Sequence, residues 1–566
     1  MWRRRAVGAH HLGHDSACPS RMECRSSVAI ARLFLGMRRR KILSSILLAV
    51  VLAHCCAYTF AAETAAGPHR VVVVVWDGMR PDFVSEQNTP ALWKLAQNGV
   101  TFRNHHAVYL SATNVNGTAI ATGVYPARSG LIANREFRPK IDNQNPIDVE
   151  AASAVKKGDE LSGGKYIATP TVAELVEQSG SRAVIAASKT VGLLHNRNPN
   201  QATAKTSVTF SAGAAWPNEA LAPMIAALGP FPKSHVDRDN WTMKTLTNVL
   251  WKDGVPIFSV LWLGEPDLTQ HETAPGAGAA LRAIKSSDDN LAAVLAALDR
   301  QRLRETTDIF VVSDHGFSTI EREVELPKIL QDAGFNAVTE FKSAPKAGDI
   351  MTVGGGGSVL FYVMGEDAAV THRLVAFLQQ SNFAGVIFTK EAVDGTFTLD
   401  KAKIDSADAP DVVLSFRWNE TKNQFGVPGM IDADWQRAAG KGTHATLSRF
   451  DMHNTLIAAG PDFRRGQIDD LPSGNVDLAP TILKILEIQS PQPMDGRVLS
   501  EALVKSASRA DSSSGEIDQQ TVKPETETIE ATKSFSTGRW RQTLQVSRLG
   551  STMYLDQGNG AFVRPK

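Results

Sequence analysis

Short apolar runs and longer segments with helical spacing alternate along this chain, and the short runs predict strands. The most distinctive run covers residues 71–75, where five valines lead into Trp76, Asp77 and Gly78. A continuous β-branched run closed by Asp-Gly predicts a strand buried on both faces, as in a parallel sheet with helices on either side. Three further strands of this kind are predicted over residues 183–187, 256–263 and 308–312.

Helical spacing of apolar residues characterises the segments between and after these strands. It predicts helices over residues 171–178, 239–251, 279–300 and 478–486. Strands that alternate with helices predict an α/β fold of three layers (αβα), with a mostly parallel central sheet covered on both faces. Residues 321–423 contain further strands and a helix, and they predict a cap subdomain inserted in the main sheet.

Composition predicts the remaining division of the chain into domains. Residues 68–505 are expected to form one catalytic domain that includes the cap. Residues 506–535 are rich in Ser, Glu, Lys and Thr over most of their length, which predicts a linker. Residues 536–566 regain the alternation of apolar and polar positions, and they predict a small carboxyl-terminal β segment.

The first 62 residues predict an amino-terminal extension with a secretory signal peptide. A basic stretch at residues 38–41 precedes an apolar run at 42–53, and small residues follow at Ala61 and Ala62. The run is short for a membrane span, although an uncleaved anchor stays open as the alternative. We expect export to the periplasm or the extracellular space, with no membrane span in the mature chain. All four cysteines lie within residues 18–56, so after cleavage a transition metal would be held by His and carboxylate.

The overall charge argues for neither nucleic acid nor a membrane surface as a partner. Lys and Arg number 60 and Asp and Glu number 59, so the formal charges nearly cancel. The chain has 43% hydrophobic and 21% charged residues, as an ordinary globular protein does. We therefore expect no nucleic-acid-binding module, while the oligomeric state is left open.

Carboxylates and imidazoles follow three of the predicted buried strands. The carboxyl ends of parallel strands meet at one edge of a sheet, where open α/β folds place their ligands, so these side chains should converge. Three carboxylates and three imidazoles divide into three ligands for each of two divalent ions, which leaves an open position on each ion. Two such ions can stabilise the entering and the leaving oxygen of an in-line displacement. The six residues are Asp77, Asp267, His271, Asp314, His315 and His444.

Each candidate residue also has a plain structural explanation. Asp-Gly after a strand is frequently a simple turn, and a loop histidine is frequently a hydrogen-bonding residue. Thr113 lies in a small polar segment ahead of an apolar run, so taken alone this position favours a helix cap over a nucleophile. The combination of these residues after three buried strands favours a metal-assisted phosphoryl-transfer site.

The order of these motifs resembles the type I phosphodiesterase / nucleotide pyrophosphatase family of the alkaline phosphatase superfamily. The resemblance covers most of residues 71–499 and implies an alkaline-phosphatase-like fold with two zinc ions. The motifs that carry it are Asp77-Gly78, Thr113, Gly123, Pro126, Asn134, Glu265-Pro266-Asp267 with His271, Ser313-Asp314-His315-Gly316 and Gly442-Thr443-His444.

The resemblance assigns a role to each matching residue. One zinc ion would be held by Asp267, His271 and His444. The other would be held by Asp77, Asp314 and His315, with Thr113 bridging toward the ions as the nucleophile. Thr113 would displace the leaving group to form a phosphothreonine, which water then hydrolyses. Asn134 stands where the family places an amide that binds a phosphoryl oxygen.

Two departures from the family's pattern bear on the substrate. The usual Thr-Phe-Pro-Asn is here Thr113-Asn114-Val115-Asn116, so the aromatic residue that often lines the substrate pocket is absent. Lys189 stands where threonine-dependent alkaline phosphatases carry a lysine, but Val191 replaces their arginine. Lys189 could bind the extra charge of a phosphomonoester, and an exposed lysine without a role in the site is an equal alternative.

These observations predict an exported two-zinc hydrolase of phosphodiester or nucleotide pyrophosphate bonds. Its substrate would be a small phosphate ester derived from a nucleotide or a lipid. An alkaline-type phosphomonoesterase that uses Lys189 is the alternative within the same class. A non-catalytic relative that binds anions or a partner protein is the alternative of another class.

Overall fold

The computed structural model describes residues 69–197, 207–504 and 523–565. The predicted extension and signal peptide (residues 1–62), all four cysteines and residues 506–522 of the predicted linker lie outside the described residues. Within the described ranges, no helix combines the length and the apolar character that crossing a membrane requires.

A nine-stranded mixed sheet lies at the centre of the described residues, with the valine strand Arg70–Trp76 in its middle. This strand pairs in parallel with Phe258–Leu263 on one side and with Thr307–Val312 on the other. Five of the eight described pairings are parallel, which confirms the predicted mostly parallel sheet. In order across the sheet, the strands are Gln467–Asp469, Val100–Phe102, Leu456–Ala459, Thr307–Val312, Arg70–Trp76, Phe258–Leu263, Ala183–Ala187, Val208–Ser211 and Ala214–Trp216.

Helices cover both faces of this sheet because successive side chains of a strand point to opposite sides. Val73 belongs to a buried core with Ile120 and Ile482. Its neighbour Val74 belongs to a different buried core with Ile284. The resulting three-layer αβα arrangement confirms the predicted fold class. The α-helices of the described residues are Pro90–Gln97, Thr113–Thr122, Pro126–Ser129, Ala152–Ser162, Val172–Gln178, Gly192–His195, Leu221–Leu228, His235–Lys244, Asp267–Glu272, Gly278–Arg300, Leu326–Asp332, Ala368–Gln379, Arg449–Met452 and Leu478–Ile485.

An inserted subdomain lies in the chain between the main-sheet strands Thr307–Val312 and Leu456–Ala459. The sequence predicts this cap over residues 321–423, and the described strands of its two sheets begin at Ser318–Val324 and end at Gly442–Thr443. The strands of the larger sheet, in order, are Ala337–Val338, Ile350–Gly354, Ser358–Val363, Val412–Phe416, Ala384–Thr389 and Phe397–Thr398. Those of the smaller sheet are Trp418–Lys422, Pro428–Asp434, Ser318–Val324 and Gly442–Thr443.

The carboxyl-terminal residues form an antiparallel sheet of three described strands, Glu525–Phe535, Gly538–Leu549 and Thr552–Val563. The first strand lies within residues 506–535, which the sequence predicts as a linker. Its side chains are mostly exposed and polar, so it lacks an apolar pattern, and it is held by backbone pairing with the middle strand along its whole length. Trp540 of the middle strand is fully buried in the core of the inserted subdomain.

Candidate active site

The three candidate carboxylates lie at the carboxyl ends of three neighbouring parallel strands. Asp77 directly follows the valine strand, and Asp314 follows strand Thr307–Val312 by two residues. Asp267 is the first residue of helix Asp267–Glu272, which follows strand Phe258–Leu263. The parallel register of these strands therefore brings together carboxylates that are far apart in the sequence.

The three imidazoles reach the same point from different elements. His271 lies one helical turn after Asp267, as the spacing of four predicts. His444 follows the short strand Gly442–Thr443, which pairs with the inserted strand Ser318–Val324. His315 lies at a bend that ends in Gly316, where a Cβ atom would stand 2.0 Å from the Phe450 carbonyl oxygen. Glycine at position 316 thus allows the close backbone approach that aims His315 into the site.

Each imidazole is oriented by a hydrogen bond from Nδ1 to a backbone carbonyl oxygen. The pairs are His271 with Gly442 at 3.0 Å, His315 with Gly316 at 2.8 Å, and His444 with Ser111 at 2.7 Å. With the proton on Nδ1, the Nε2 atom of a neutral ring carries a free lone pair. Hydrogen bonds of this kind from Nδ1 are typical of histidines that bind a metal through Nε2.

The Nε2 atoms face carboxylate oxygens that have no hydrogen-bond partner among the described residues. These oxygens are buried, and they are Asp77 Oδ1, Asp267 Oδ1 and Asp314 Oδ2. Asp267 Oδ1 lies 3.2 Å from His271 Nε2 and 3.5 Å from His444 Nε2. His315 Nε2 lies 3.3 Å from Asp314 Oδ2 and 3.5 Å from Asp77 Oδ1. Lone pairs that face one another without a proton repel, so a cation between these atoms would stabilise the arrangement.

The spacing of these atoms fits two tetrahedral metal sites. Metal–ligand bonds of about 2.0–2.1 Å place two ligands of a tetrahedral zinc ion about 3.3 Å apart, and the distances above lie close to that value. Asp267, His271 and His444 form one group whose ligand atoms lie within 4.8 Å of one another. For a second ion the sequence predicts Asp77, Asp314 and His315. The reactive atoms of Asp77, Asp267 and His315 also lie within 4.8 Å of one another, so Asp267 lies between the two sets.

Thr113 lies beside both sets and does not cap its helix. It is the first residue of helix Thr113–Thr122, whose N-cap residue, Ala112, makes no side-chain capping bond. Its Oγ1 atom lies 3.4 Å from His315 Nε2 and 3.3 Å from Lys189 Nζ. Because the side chain is almost fully buried, its hydroxyl is directed at the metal ligands and away from bulk water.

Lys189 lies beside the second oxygen of two candidate metal-binding carboxylates, Asp77 and Asp267. Its Nζ atom lies 2.9 Å from Asp77 Oδ2 and 3.0 Å from Asp267 Oδ2. Burial alone would lower the pKa of Lys189, but the Asp267 and Asp77 carboxylates outweigh burial and raise it. The ammonium group can therefore stay charged without displacing either metal ligand set.

Asn134 lies next to the start of the nucleophile helix. Its Oδ1 atom accepts a hydrogen bond of 2.8 Å from the backbone N–H of Asn114. Asn134 therefore contacts the residue that follows Thr113 in the chain. That its amide binds a phosphoryl oxygen stays a prediction.

The pKa shifts reflect how closely the carboxylates are packed. Burial raises the pKa of Asp314 to about 7, and burial together with the Asp314 carboxylate raises the pKa of Asp77 well above its usual value. Burial also acts on Asp267, but His271 and Lys189 outweigh it and hold the pKa of Asp267 well below its usual value. Burial lowers the pKa of His271. A neutral imidazole is the form that binds a metal.

Three residues that bear on the site were missed by sequence reasoning. Trp262 donates from Nε1 to Asp77 Oδ2 at 2.9 Å, and Asn475 donates from Nδ2 to the Asp314 carbonyl oxygen at 2.7 Å. Glu150 accepts a hydrogen bond from Asn114, the residue after Thr113. None of the three belongs to a recognisable motif, so only their place in the fold identifies them.

The fold and the site together define an alkaline-phosphatase-like α/β protein with a carboxylate–histidine site that suits divalent metals. The model of the Type I phosphodiesterase / nucleotide pyrophosphatase family matches residues 71–421. The chain therefore belongs to that family, as its motifs predict.

Similar sequences include animal phosphodiesterases. Venom phosphodiesterase CdcPDE from Crotalus durissus collilineatus is 24% identical over 277 residues, which are 47% of this chain and 28% of the relative. Human ectonucleotide pyrophosphatase/phosphodiesterase family member 1 is 23% identical, over 45% of this chain and 24% of the relative. Rat family member 7 is 19% identical, over 76% of this chain and 85% of the relative. The matched part of this chain thus spans less than a third of the venom and human proteins.

Similar solved structures belong to the same group. Murine ectonucleotide pyrophosphatase/phosphodiesterase 5, in an inactive form in complex with AMP, superposes with a TM-score of 0.53 at 18% identity. The human protein 5 structure gives a TM-score of 0.53 at 17% identity. Each comparison covers 77% of this chain and 100% of the other chain. At this level of identity the structures show a shared fold.

Proposed function

We propose that this chain is a metal-dependent phosphoesterase that hydrolyses phosphodiester or nucleotide pyrophosphate bonds through a phosphothreonine. The observation that carries the proposal is the set of open ligand atoms on three carboxylates and three imidazoles beside the buried hydroxyl of Thr113. Membership of the type I phosphodiesterase / nucleotide pyrophosphatase family supports the same reaction class.

The proposal includes two divalent metal ions, taken to be zinc. Asp267, His271 and His444 would hold one ion. Asp77, Asp314 and His315 would hold the other. Bound there, the ions would supply positive charge that polarises the phosphoryl group and lowers the pKa of the hydroxyl. Imidazole and carboxylate ligands at tetrahedral spacing suit zinc.

The reacting residues of the chain have distinct roles in this proposal. The Thr113 oxygen, having lost its proton, forms a bond to phosphorus, and the bond to the leaving oxygen breaks with its electron pair on that oxygen. Water then attacks phosphorus on the other side, and the Thr113 oxygen leaves. The Asn134 amide would donate to a phosphoryl oxygen, and Lys189 would hold Asp77 and Asp267 in place.

The natural substrate is proposed to be a small phosphate ester from a nucleotide or a lipid, met after export. The similar proteins include venom phosphodiesterases and ectonucleotide pyrophosphatases. These names support both a phosphate-ester substrate and export. A non-catalytic relative would have no need for open ligand atoms around a hydroxyl that caps nothing.

A phosphomonoesterase is the second candidate function, because of the position of Lys189. Its ammonium group lies 3.3 Å from Thr113 Oγ1, where it could meet the additional charge of a monoester. Against this, two carboxylates already neutralise the ammonium, and Val191 supplies no second cation.

The two candidates differ in the ratio of kcat/KM for an aryl alkyl phosphodiester to that for the matching aryl phosphomonoester. On the purified, zinc-loaded chain we expect the diester to be favoured by about a hundredfold or more. Lys189→Met should lower both rates, with the exposed Lys165→Met as the matched control. A monoester preference that Lys189→Met reverses would establish the phosphomonoesterase instead. A chain that binds zinc and hydrolyses neither ester would be the non-catalytic relative.

A further inference from the structure

Glu150 places a carboxylate at the rim of the site, beside the nucleophile. Its Oε2 atom accepts a hydrogen bond of 2.7 Å from Asn114 Nδ2, and its Oε1 atom accepts one of 3.0 Å from Thr190 Oγ1. Asn114 follows Thr113 in the chain, and Thr190 follows Lys189. The carboxylate therefore links the two segments that carry the nucleophile and the lysine of the site.

The surroundings of this carboxylate leave it open to a ligand. Glu150 is half-buried and Thr190 is exposed, so the group lies between the site and solvent. An ionised carboxylate has about four acceptor positions, and the two side-chain contacts leave room for further donors. Burial raises the pKa of Glu150, so its charged form gains from an additional donor or cation.

The geometry of the reaction places one part of the substrate next to Glu150. In an in-line displacement the leaving oxygen lies opposite the attacking Thr113 oxygen. The substituent that phosphorus retains must then lie to the side of the nucleophile. Asn114 follows the nucleophile in the chain and its amide is bonded to Glu150, so a retained substituent that extends toward Asn114 meets a polar surface with a carboxylate.

We propose that Glu150 is a specificity-determining residue for the retained substituent of a phosphodiester, which it recognises through hydroxyl or ammonium donors. The same negative charge disfavours a substrate that carries a second negative charge at this place, as a phosphomonoester does. The inference rests on the proposed phosphodiesterase function. It adds a substrate class to that function: diesters whose retained group carries hydrogen-bond donors.

The test compares aryl phosphodiesters that share one leaving group and differ in the retained group. The retained groups are ethyl, 2-hydroxyethyl and 2-aminoethyl, and the aryl phosphomonoester is added as the dianion. Zinc-loaded wild type, Glu150→Gln and the control Glu160→Gln, which changes an exposed residue of helix Ala152–Ser162, are assayed for kcat/KM. Thermal unfolding of each variant shows that it is folded.

We expect wild type to favour a donor-bearing diester over the ethyl diester by about tenfold, the size of one hydrogen bond to a charged group. Glu150→Gln should remove most of this preference and raise the monoester rate relative to the ethyl diester, while Glu160→Gln should match wild type. If Glu150→Gln loses only the preference for the 2-aminoethyl diester, Glu150 recognises an ammonium group. If it loses the preference for both donor-bearing diesters, Glu150 recognises hydroxyl donors as well.

Two results would overturn the inference, and only one of them would also overturn the proposed phosphodiesterase function. If wild type hydrolyses the ethyl diester but shows no preference for the donor-bearing diesters, or keeps its preference in Glu150→Gln, Glu150 does not set specificity and the phosphodiesterase function stands. If wild type hydrolyses no diester at all, the proposed function fails and this inference fails with it.

Discussion

Two buried clusters of histidine and carboxylate in this chain differ in how their polar atoms are partnered. In the candidate active site, bare Nε2 atoms face unpartnered oxygens at 3.2–3.5 Å. In the second cluster, which consists of His106, His453 and Asp556, His106 Nε2 lies 2.8 Å from Asp556 Oδ1. The other ring nitrogen of His106 lies 2.9 Å from the Ser473 carbonyl oxygen, and Asp556 Oδ2 accepts from Ser547 Oγ at 2.9 Å.

The difference shows that residue types alone do not identify a metal site. Both clusters bring ligand atoms within 4.8 Å of one another. Around His106, however, both ring nitrogens lie within hydrogen-bond distance of an oxygen atom, so hydrogen bonds within the protein account for the geometry. In the active site the Nε2 and carboxylate oxygen atoms lie 3.2–3.5 Å apart, at or beyond the usual length of a hydrogen bond, and this spacing also suits a metal ion between them. The second cluster instead joins the carboxyl-terminal sheet to the catalytic core.

The largest expected effect is that of Thr113→Ala on turnover. Removing the attacking oxygen should lower kcat at least about a thousandfold, as loss of a covalent nucleophile does in other hydrolases. Metal content should stay near that of wild type, because the six other ligands are intact. Thr118→Ala is the matched control, since Thr118 lies on the same helix and its hydroxyl bonds the Asn114 carbonyl oxygen. Near-normal turnover in Thr113→Ala would show that Thr113 is not the nucleophile.

Metal content distinguishes the two clusters directly. Asp267→Asn removes a charged ligand that lies between both metal sets, so the purified variant should lose at least one bound ion per chain along with its activity. Asp556→Asn changes the carboxylate of the second cluster and should leave metal content and kcat at the wild-type level. Mass spectrometry of metals after dialysis measures both. A loss of metal from Asp556→Asn would show that the second cluster also binds an ion.

The smallest effect on activity is expected for His106→Ala, which should act on stability. It leaves the Asp556 carboxylate buried without its partner, and breaking such a pair costs about 3–5 kcal/mol. The free energy of unfolding in urea should fall by about that amount, while kcat measured below the transition changes less than about twofold. His372→Ala, which alters an exposed residue, serves as the control. An unchanged unfolding free energy would mean that the His106–Asp556 pair adds no stability.

Much of the fold follows from local patterns in the sequence. The valine run has no polar position, so it predicts a strand buried on both faces, and Arg70–Trp76 occupies the middle of the main sheet. The predicted strand 183–187 and the predicted helix 279–300 differ from the observed elements by at most one residue. A strand or helix buries its apolar side wherever it packs, so its periodicity is visible before its partners are known.

The six candidate metal ligands could also be predicted from sequence, because five of them follow buried strands and His444 lies in a glycine-flanked loop of a recognisable motif. Asp77 and Asp314 come after buried strands, and parallel strands of one sheet present their carboxyl ends at the same edge. The spacing of Asp267 and His271 needs only one helical turn. Which oxygen of each carboxylate stays unpartnered could not be predicted, since that depends on neighbours such as Trp262 and Lys189.

Only the tertiary structure determines where segments without an apolar periodicity make their contacts. Lys189 lies between two metal-ligand carboxylates because strand Ala183–Ala187 is next to Phe258–Leu263 in the sheet. Glu150 belongs to no predicted element, and only its hydrogen bonds with Asn114 and Thr190 connect it with the site. The exposed strand Glu525–Phe535 exists through backbone pairing, which leaves no apolar signal. Periodicity is a local property of the chain, whereas a hydrogen bond between distant side chains depends on the complete fold.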